Sequence, residues 1–557
     1  MKKYIILFIS AVVLFSSCVD EFLDRRMDTN YTGEQVFSSY TTMRNFGIGI
    51  YSDLPQGFDR FSGGMLAAAT DDAAHSGRDN SIQKLGNGNW GAFSNPDDQW
   101  SALYDGIRKA NLFLENSVDY RAIIVQDTVT EQGKQSYLTQ SNDLMWLRAE
   151  THFLRAYFYF ELLKRYGGVP IIREILDEES NFDYTRNSLD EVISYIESEL
   201  ELAMPDLRDT WSGFDGDRLI GRATKGAALA LKSRVLLYAA SPLNNPNNDQ
   251  SKWIRAAEAA YDVVELGQYN LVDNYRNLFR SITNGEIIFG RNYPASNSLE
   301  RNNFPIGFAG AVGGTNPSQN LVDAYETLSG LSIDEDPAYD SQNPYENRDP
   351  RLQMSIITND SDYKGRKIET FRGGFDGYGK ARATKTGYYL KKFMDEGLDL
   401  LQNRSSVHTW IYFRYAEVLL NYAEAMNEAY GPDAVAEGLP MSAKEALNTV
   451  RQRPGVNMPE VEAASSEELR AKIKNERRVE LAFEEHRFWD LRRWRDAGEV
   501  LSQPLRIAVI EQNADETFTF SYQDAEERIF SEQMYLYPIP AVEINKAGGK
   551  LQQNPNW

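Results

Sequence analysis

Apolar residues recur at helical spacing in several separate stretches of the chain. Trp146, Ala149, Phe153, Ala156, Phe160 and Leu163 fall three or four residues apart, which puts them on one face of a helix running from Trp146 to Tyr166. Gly167, Gly168 and Pro170 follow, and glycine past the last turn with a proline soon after ends a helix. Ser188 with Glu191 predicts a capping box and the start of the next helix. Two further stretches read as helical pairs: Ala223 to Ala240 with Trp253 to Leu266, and Trp410 to Glu428 with Ser442 to Arg451. In the first pair Ala227, Ala228 and Ala230 permit close approach. Its second member sets Trp253, Ala256, Ala257, Ala260 and Val264 on one face and closes at Gly267. Ser442 and Glu445 make another predicted capping box. Helical pairs of this size predict a mainly α scaffold of tetratricopeptide-like units, whose period is about 34 residues.

The stretches between these helices have no such period. Gly57 to Ala92, Arg291 to Pro317 and Tyr339 to Gly379 are rich in Gly, Asn, Asp and aromatics, with short β-like runs such as Glu286 to Phe289 nearby. Loops this long inside a compact domain are usually functional or disordered, and their aromatic content favours function.

The N-terminus has a different pattern again. Lys2 and Lys3 precede an apolar run from Tyr4 to Phe15, and Ser16 and Ser17 lead into Cys18. The run is shorter than the roughly 20 residues a bilayer requires, so residues 1–17 read as a signal peptide. Small residues before a cysteine are what lipoprotein processing needs. Phe15 stands where such signals usually carry Leu, with Leu14 one place early. Cys18 is the one cysteine in 557 residues and cannot form an internal disulfide. It is the expected lipid anchor, and the acyl chains it would carry hold a membrane with about 0.8 kcal/mol per buried CH₂. Residues 18–34 read as a polar tether. Residues 35–557 read as one domain, a helical scaffold (35–280 and 405–557) with an irregular lobe (281–404). The net charge of -22 argues against nucleic-acid binding, which needs clustered cations.

Six segments, in order, resemble one family. They are Trp146-Leu-Arg-Ala-Glu-Thr-His-Phe-Leu-Arg-Ala-Tyr through Tyr166-Gly-Gly-Val-Pro170, Arg222-Ala-Thr-Lys-Gly-Ala-Ala-Leu-Ala-Leu-Lys-Ser-Arg-Val, Tyr345-Glu-Asn-Arg-Asp-Pro-Arg351, Phe413-Arg-Tyr-Ala-Glu-Val-Leu-Leu, Asn475 to Trp494, and Tyr535-Leu-Tyr-Pro-Ile-Pro540, with Gln553-Asn-Pro-Asn-Trp557 closing the chain. The pattern resembles the SusD/RagB family across essentially the whole chain after Cys18. That resemblance implies a surface lipoprotein of a Gram-negative outer membrane, with a helical scaffold and a ligand face built from irregular loops. It also implies a SusC-like TonB-dependent transporter as partner, and oligosaccharides as the cargo delivered to it. Asp20 and Glu21, just after Cys18, resemble the signal that sends such lipoproteins to the cell surface.

A sugar site wants flat rings for C–H faces and amides, carboxylates or guanidinium groups for hydroxyls. The expected ligand residues are Asp72, Arg78, Asn80 and Trp90 in the first loop, Tyr293, Asn303, Phe304 and Phe308 in the second, and Tyr378 in a third stretch, Phe371 to Tyr378. Trp90, between Asn89 and Gly91, is expected to have little around it to shield its ring. Asp72 has a second reading, as the cap of the next turn. A peptide or other nutrient receptor on the same scaffold is the alternative, and a surface glycoside hydrolase a more distant one. Glu480 and Glu484 lie one helical turn apart and tempt a catalytic reading, but five arginines in the same stretch favour ion pairing. His486 shares a face with Val479, Ala482 and Phe483 and reads as a packed histidine. No catalytic set, metal site or cofactor is expected: the four histidines (His75, His152, His408, His486) are scattered, and Asn359, Asp360 and Asp362 are only a fragment of a calcium loop.

Overall fold

The computed structural model describes residues 33–557 apart from 59, 128, 177–183 and 215–218, so the signal peptide, Cys18 and nearly all of the expected tether lie outside the described residues. The chain divides into two compact units. The smaller takes the residues up to Phe46 with Asn116–Leu144, and the larger takes Gly47–Glu115 with Met145–Trp557. Within the smaller, Asp143 accepts from the Tyr40 hydroxyl at 2.9 Å and from Arg44 Nε at 2.7 Å. Phe37 and Phe46 meet edge to face there, 5.2 Å between ring centres.

The protein is mainly helical, as the spacing of apolar residues predicts. Among its helices are α1 (Trp100–Asn116), α2 (Glu131–Tyr166), α3 (Leu189–Ala203), α4 (Lys225–Ala240), α5 (Gln250–Glu265), α6 (Tyr415–Tyr430), α7 (Ala443–Arg451), α8 (Ser466–Glu480) and α9 (His486–Arg493). In the larger unit α4 packs on α5, α5 on α6, and α6 on α7 and α8. The small residues expected to allow close packing, Ala227, Ala228 and Ala230 of α4, are buried, as are Trp253, Ala256, Ala257 and Ala260 of the face that the period picks out on α5. Val263, rather than Val264, completes the α5 face, three residues on from Ala260. Both predicted capping boxes form, Ser188 with Glu191 and Ser442 with Glu445. Gly167 follows α2 at φ +74°, a conformation glycine adopts without steric cost.

Besides four two-residue strands, the described residues hold six longer ones: β1 (Ala73–His75), β2 (Ile287–Asn292), β3 (Thr315–Pro317), β4 (Thr409–Arg414), β5 (Leu505–Gln512) and β6 (Phe518–Glu526). They form three antiparallel pairs, β1 with β3, β2 with β4, and β5 with β6. β4 corrects the expected helix start at Trp410. Thr409 to Phe413 is a run of aromatic and β-branched residues that fits a pleated surface, every residue of β4 is buried, and the helix begins only at Tyr415. The β5–β6 hairpin lies in a region expected to be helical. Ile507, Val509 and Ile510 give β5 its strand character.

A buried ion network joins these elements. Arg414, at the end of β4, meets Glu286 at 2.8 Å, Glu480 at 2.7 Å and Glu484 at 2.7 Å. Arg453 reaches Glu480 at 2.6 Å and Arg351 reaches it at 2.8 Å. Burial by itself would raise the Glu480 carboxyl; Arg453, Arg414 and Arg351 reverse that and hold it well below the usual carboxylate range. The two glutamates that invited a catalytic reading are therefore charged groups committed to guanidinium partners. Leaving such charges unpaired costs about 3–5 kcal/mol. Burial also lowers the His486 imidazole well below its ordinary value, as a packed histidine requires.

Candidate functional site

The β1–β3 pairing brings the first two long loops together. Ala73, Ala74 and His75 stand opposite Pro317, Asn316 and Thr315. Asn303 braces this pair from within: wholly buried, it donates to the Leu299 carbonyl at 3.0 Å and accepts from the Thr315 amide at 3.0 Å. Asp72 faces inward as well. Arg478, in the last turn of α8, donates to it at 2.8 Å, and Asp71 accepts from Arg478 at 2.7 Å and Arg487 of α9 at 2.9 Å. Burial raises the Asp72 carboxyl, against Arg478 and with the help of neighbouring Asp71. Asp71 is buried too, but its two guanidinium partners hold it well below the usual range. These two aspartates fasten the first loop to the helical scaffold.

Beyond β1 the chain turns outward. His75 Nδ1 accepts from the Gly77 amide at 3.0 Å, and burial pulls the imidazole below its ordinary value, so it is neutral at pH 7. Asn80 is fixed by donation to the Phe61 carbonyl at 2.8 Å and by accepting from the Ile82 amide at 3.0 Å. Between them Arg78 is exposed, and its guanidinium has no hydrogen-bond or ion-pair partner among the described residues.

The third loop joins the same face. The Lys385 amide donates at 3.1 Å to Asn316, the residue opposite Ala74. The Tyr378 hydroxyl donates to the Lys385 carbonyl at 2.5 Å. Asp376 is the buried pivot, accepting from the Gly307 amide at 2.9 Å and from both outer nitrogens of Arg366 at 2.7 Å. With Asp376 drawn in, its neighbour Phe375 is turned out and is 67% exposed, with the Lys380 ammonium 5.1 Å from its ring centre. Phe308 is half-buried with the Arg366 guanidinium 4.2 Å over its ring. One hydrogen-bonded run of loops thus carries Phe308, Phe375, Tyr378, Lys385, Arg78 and Asn80. It offers exposed and half-exposed rings beside cationic and amide groups, which is the chemistry that holds a sugar by its C–H face and its hydroxyls. Among the described residues no group of three or more His, Cys, Asp or Glu side chains could hold a metal ion.

The other expected residues lie elsewhere. Trp90 is 7% exposed, its ring 5.1 Å from that of Tyr537 and 4.9 Å from that of Trp557, so the shielding that its glycine neighbours do not supply comes from the C-terminal segment. Phe304 is wholly buried behind Phe308, against Tyr363 and the Lys364 ammonium. Tyr293 follows the end of β2, half-buried, edge-on to Phe58 and under Arg291. Sequence reasoning stopped at Tyr378 and so missed Lys385, and it did not single out Phe375 within its loop. The signal for Lys385 was present, since residues 364–392 carry nine Lys and Arg against two Asp and Glu.

Two family models match the chain: "SusD family" over residues 285–557, and "Starch-binding associating with outer membrane" over residues 21–237. A SusD-like protein of Bacteroides ovatus is 25% identical over 515 residues, covering 89% of this chain and 83% of that protein. One from Formosa agariphila is 24% identical over 415 residues, covering 71% and 70%. Among solved structures, a SusD-like protein from Bacteroides fragilis superposes with a TM-score of 0.78 at 28% identity, covering 95% of this chain and 99% of its own. A second from the same species, described as a SusD-like carbohydrate binding protein, gives 0.74 at 27% identity, covering 92% and 99%.

Proposed function

The chain belongs to the SusD/RagB family, and from that premise we propose that it is a carbohydrate-binding protein of the outer membrane that takes oligosaccharides on the loop face and hands them to a SusC-like TonB-dependent transporter. Cys18 carries the lipid that keeps it at the cell surface. The similarity to a protein described as carbohydrate binding and the family description that joins starch binding to the outer membrane support this reading. Within the molecule one observation carries it: Phe375 holds a ring 67% exposed, where burial against its own protein would be the default, with the Lys380 ammonium 5.1 Å from its centre and on the same hydrogen-bonded run of loops as Tyr378 and Arg78. A sugar face laid on that ring recovers the contact. Asn80 is locked by the Phe61 carbonyl and the Ile82 amide, so little side-chain freedom remains for a ligand to remove.

Calorimetry with the full chain carrying Cys18→Ala and a panel of oligosaccharides tests this. At least one should bind, and Phe375→Ala should weaken that binding by about 1–2 kcal/mol, or roughly five- to thirtyfold. Failure of every oligosaccharide to bind, or binding indifferent to Phe375→Ala and Arg78→Ala alike, would count against the reading.

A further inference from the structure

We propose that the ligand of this face is an anionic glycan, its carboxylate or sulfate groups received by Arg78, Lys380, Arg382 and Lys385. The inference rests on the glycan reading above and narrows it to a charged class.

The charge is in the wrong place for a chain of net charge -22, unless it has a use there. Nine of the 59 Lys and Arg residues fall between Lys364 and Lys392. Several are spent on acids of the protein itself: Lys392 on buried Glu484, Arg366 on buried Asp376, and Lys367 on Asp362 in an exposed pair. The ones at the face are not. Arg382 is exposed and has no hydrogen-bond or ion-pair partner among the described residues. Lys380 is exposed, and its ammonium donates to the Gly374 carbonyl at 2.6 Å, which leaves its charge uncompensated. Lys385 meets Glu526 only at 3.9 Å, and that carboxylate is already paired with Arg528 at 2.7 Å. Arg78 approaches from the first loop, also unpaired. The opposing acids nearby include Asp79, exposed on the same turn, the shared Glu526, and Glu369, whose carboxylate accepts from the Phe375 amide at 3.0 Å. Cations therefore prevail at this face even though acids prevail in the whole chain.

Two local features fit an anion. Arg382 sits at φ +64°, a left-handed conformation that side chains other than glycine seldom take, with its carbonyl 3.0 Å from where a Cβ on Gly313 would lie. An unpaired cation held in a disfavoured backbone conformation on an exposed turn has no evident structural task. Burial lowers the Lys385 ammonium, Glu526 offsets part of this, and Arg78 and Arg528 lower it further. A bound anion would relieve that crowding of positive charge. A neutral glycan needs rings and hydroxyl partners, which Phe375, Tyr378 and Asn80 supply, but has no use for four cations.

Native gels cast with paired polysaccharides test the inference on the full chain carrying Cys18→Ala. The pairs are polygalacturonate with its methyl ester, and a sulfated galactan with its desulfated form. They keep the sugar and remove the charge, and they separate carboxylate from sulfate recognition. The expected result is retardation by at least one anionic polymer, about tenfold weaker with its uncharged partner. Retardation should also fall severalfold from about 50 to about 500 mM NaCl, as the Debye length shrinks from roughly 14 to roughly 4 Å. The triple variant Arg78→Gln, Arg382→Gln, Lys385→Gln should lose it. Should that variant fail to fold by circular dichroism, Arg382→Gln and Arg78→Glu alone, both at exposed positions, should each weaken it. Retention by neutral polymers alone, or equal retention within each pair, overturns the charge inference and leaves glycan capture standing. Retention by no polymer overturns both. Binding of acidic peptides with no binding of anionic glycans would assign the cations to a protein partner and overturn it as well.

Discussion

Trp90 packs its ring against Tyr537 and Trp557, and its removal takes away a large apolar contact at the point where the C-terminal segment meets the first loop. Trp90→Ala should lower unfolding stability by about 3–5 kcal/mol, read from urea denaturation, while the protein that remains folded binds its glycan as before. Unchanged stability with lost binding would return the residue to the ligand face. The contrast with Phe375 shows what a sequence discloses about single residues. Both are aromatic and both lie among glycines. Trp90 is covered by rings more than 400 positions away, and Phe375 is uncovered because Asp376 is pulled inward by the Gly307 amide and Arg366. Neither partner is visible in local composition. Asp72 makes the same point: two arginines of the α8–α9 segment turn an apparent ligand carboxylate into a fastening.

At the scale of elements, local sequence was enough for the paired helices. α5 buries one regular face, α4 and α6 read from runs of small and apolar residues that are buried nearly all round, and both capping boxes were legible from their Ser and Glu spacing. The start of α6 was not, because the apolar run crosses from strand into helix at Arg414 with no glycine or proline to mark it. The charges along α2 give a measurable consequence. Glu161, 2% exposed, meets Lys164 and Arg165, each at 2.6 Å. Burial would raise its carboxyl, but the two cations bring it down to about 2. Lys164 is lowered as well, but by burial, which takes it down to about 8 despite Glu161. Within this trio the acid limb is governed by Glu161, because Lys164 and Arg165 both stay charged there. A folded value below the unfolded one means stability that is present above about pH 4.5 and is lost as pH falls toward 2, at most about 3 kcal/mol. Denaturant titrations at a series of pH values should show that loss, and Glu161→Gln should make it shallower by this share, leaving the part due to carboxylates such as Glu480 and Asp71, while costing about 3–5 kcal/mol at neutral pH through a buried Lys164 left unpaired and an Arg165 left with Asp97 alone. Above neutrality the slope keeps the same sign for Lys164: the folded state releases its proton first, so stability rises as pH climbs from about 8 toward the unfolded lysine value.

For the molecule as a whole, the decisive arrangement is the convergence of three loops that are distant in sequence. No periodicity encodes it; it is set by the register of β1 on β3 and by single hydrogen bonds such as that from the Lys385 amide to Asn316. The loops were recognisable as long, glycine-rich and aromatic, but their common face was not. The proposed attachment to a membrane has the opposite character, since the sequence that suggests it is a few adjacent residues at the N-terminus. Among the described residues no helix is long and apolar enough to cross a membrane, so under the proposed function the lipid on Cys18 is what holds the protein at the surface. The anchor and the ligand face should then be separable. Cys18→Ala should move the protein from the membrane fraction to the soluble fraction, and metabolic labelling with a fatty acid should mark the parent and not the variant. Glycan affinity of the released protein should match that of the detergent-extracted parent within about twofold, since no residue of the loop face belongs to the N-terminal segment. A variant that stays in the membrane fraction unlabelled would mean that the attachment lies elsewhere. A variant that is released but no longer binds would tie capture to the anchored state and remove the premise that the face works alone.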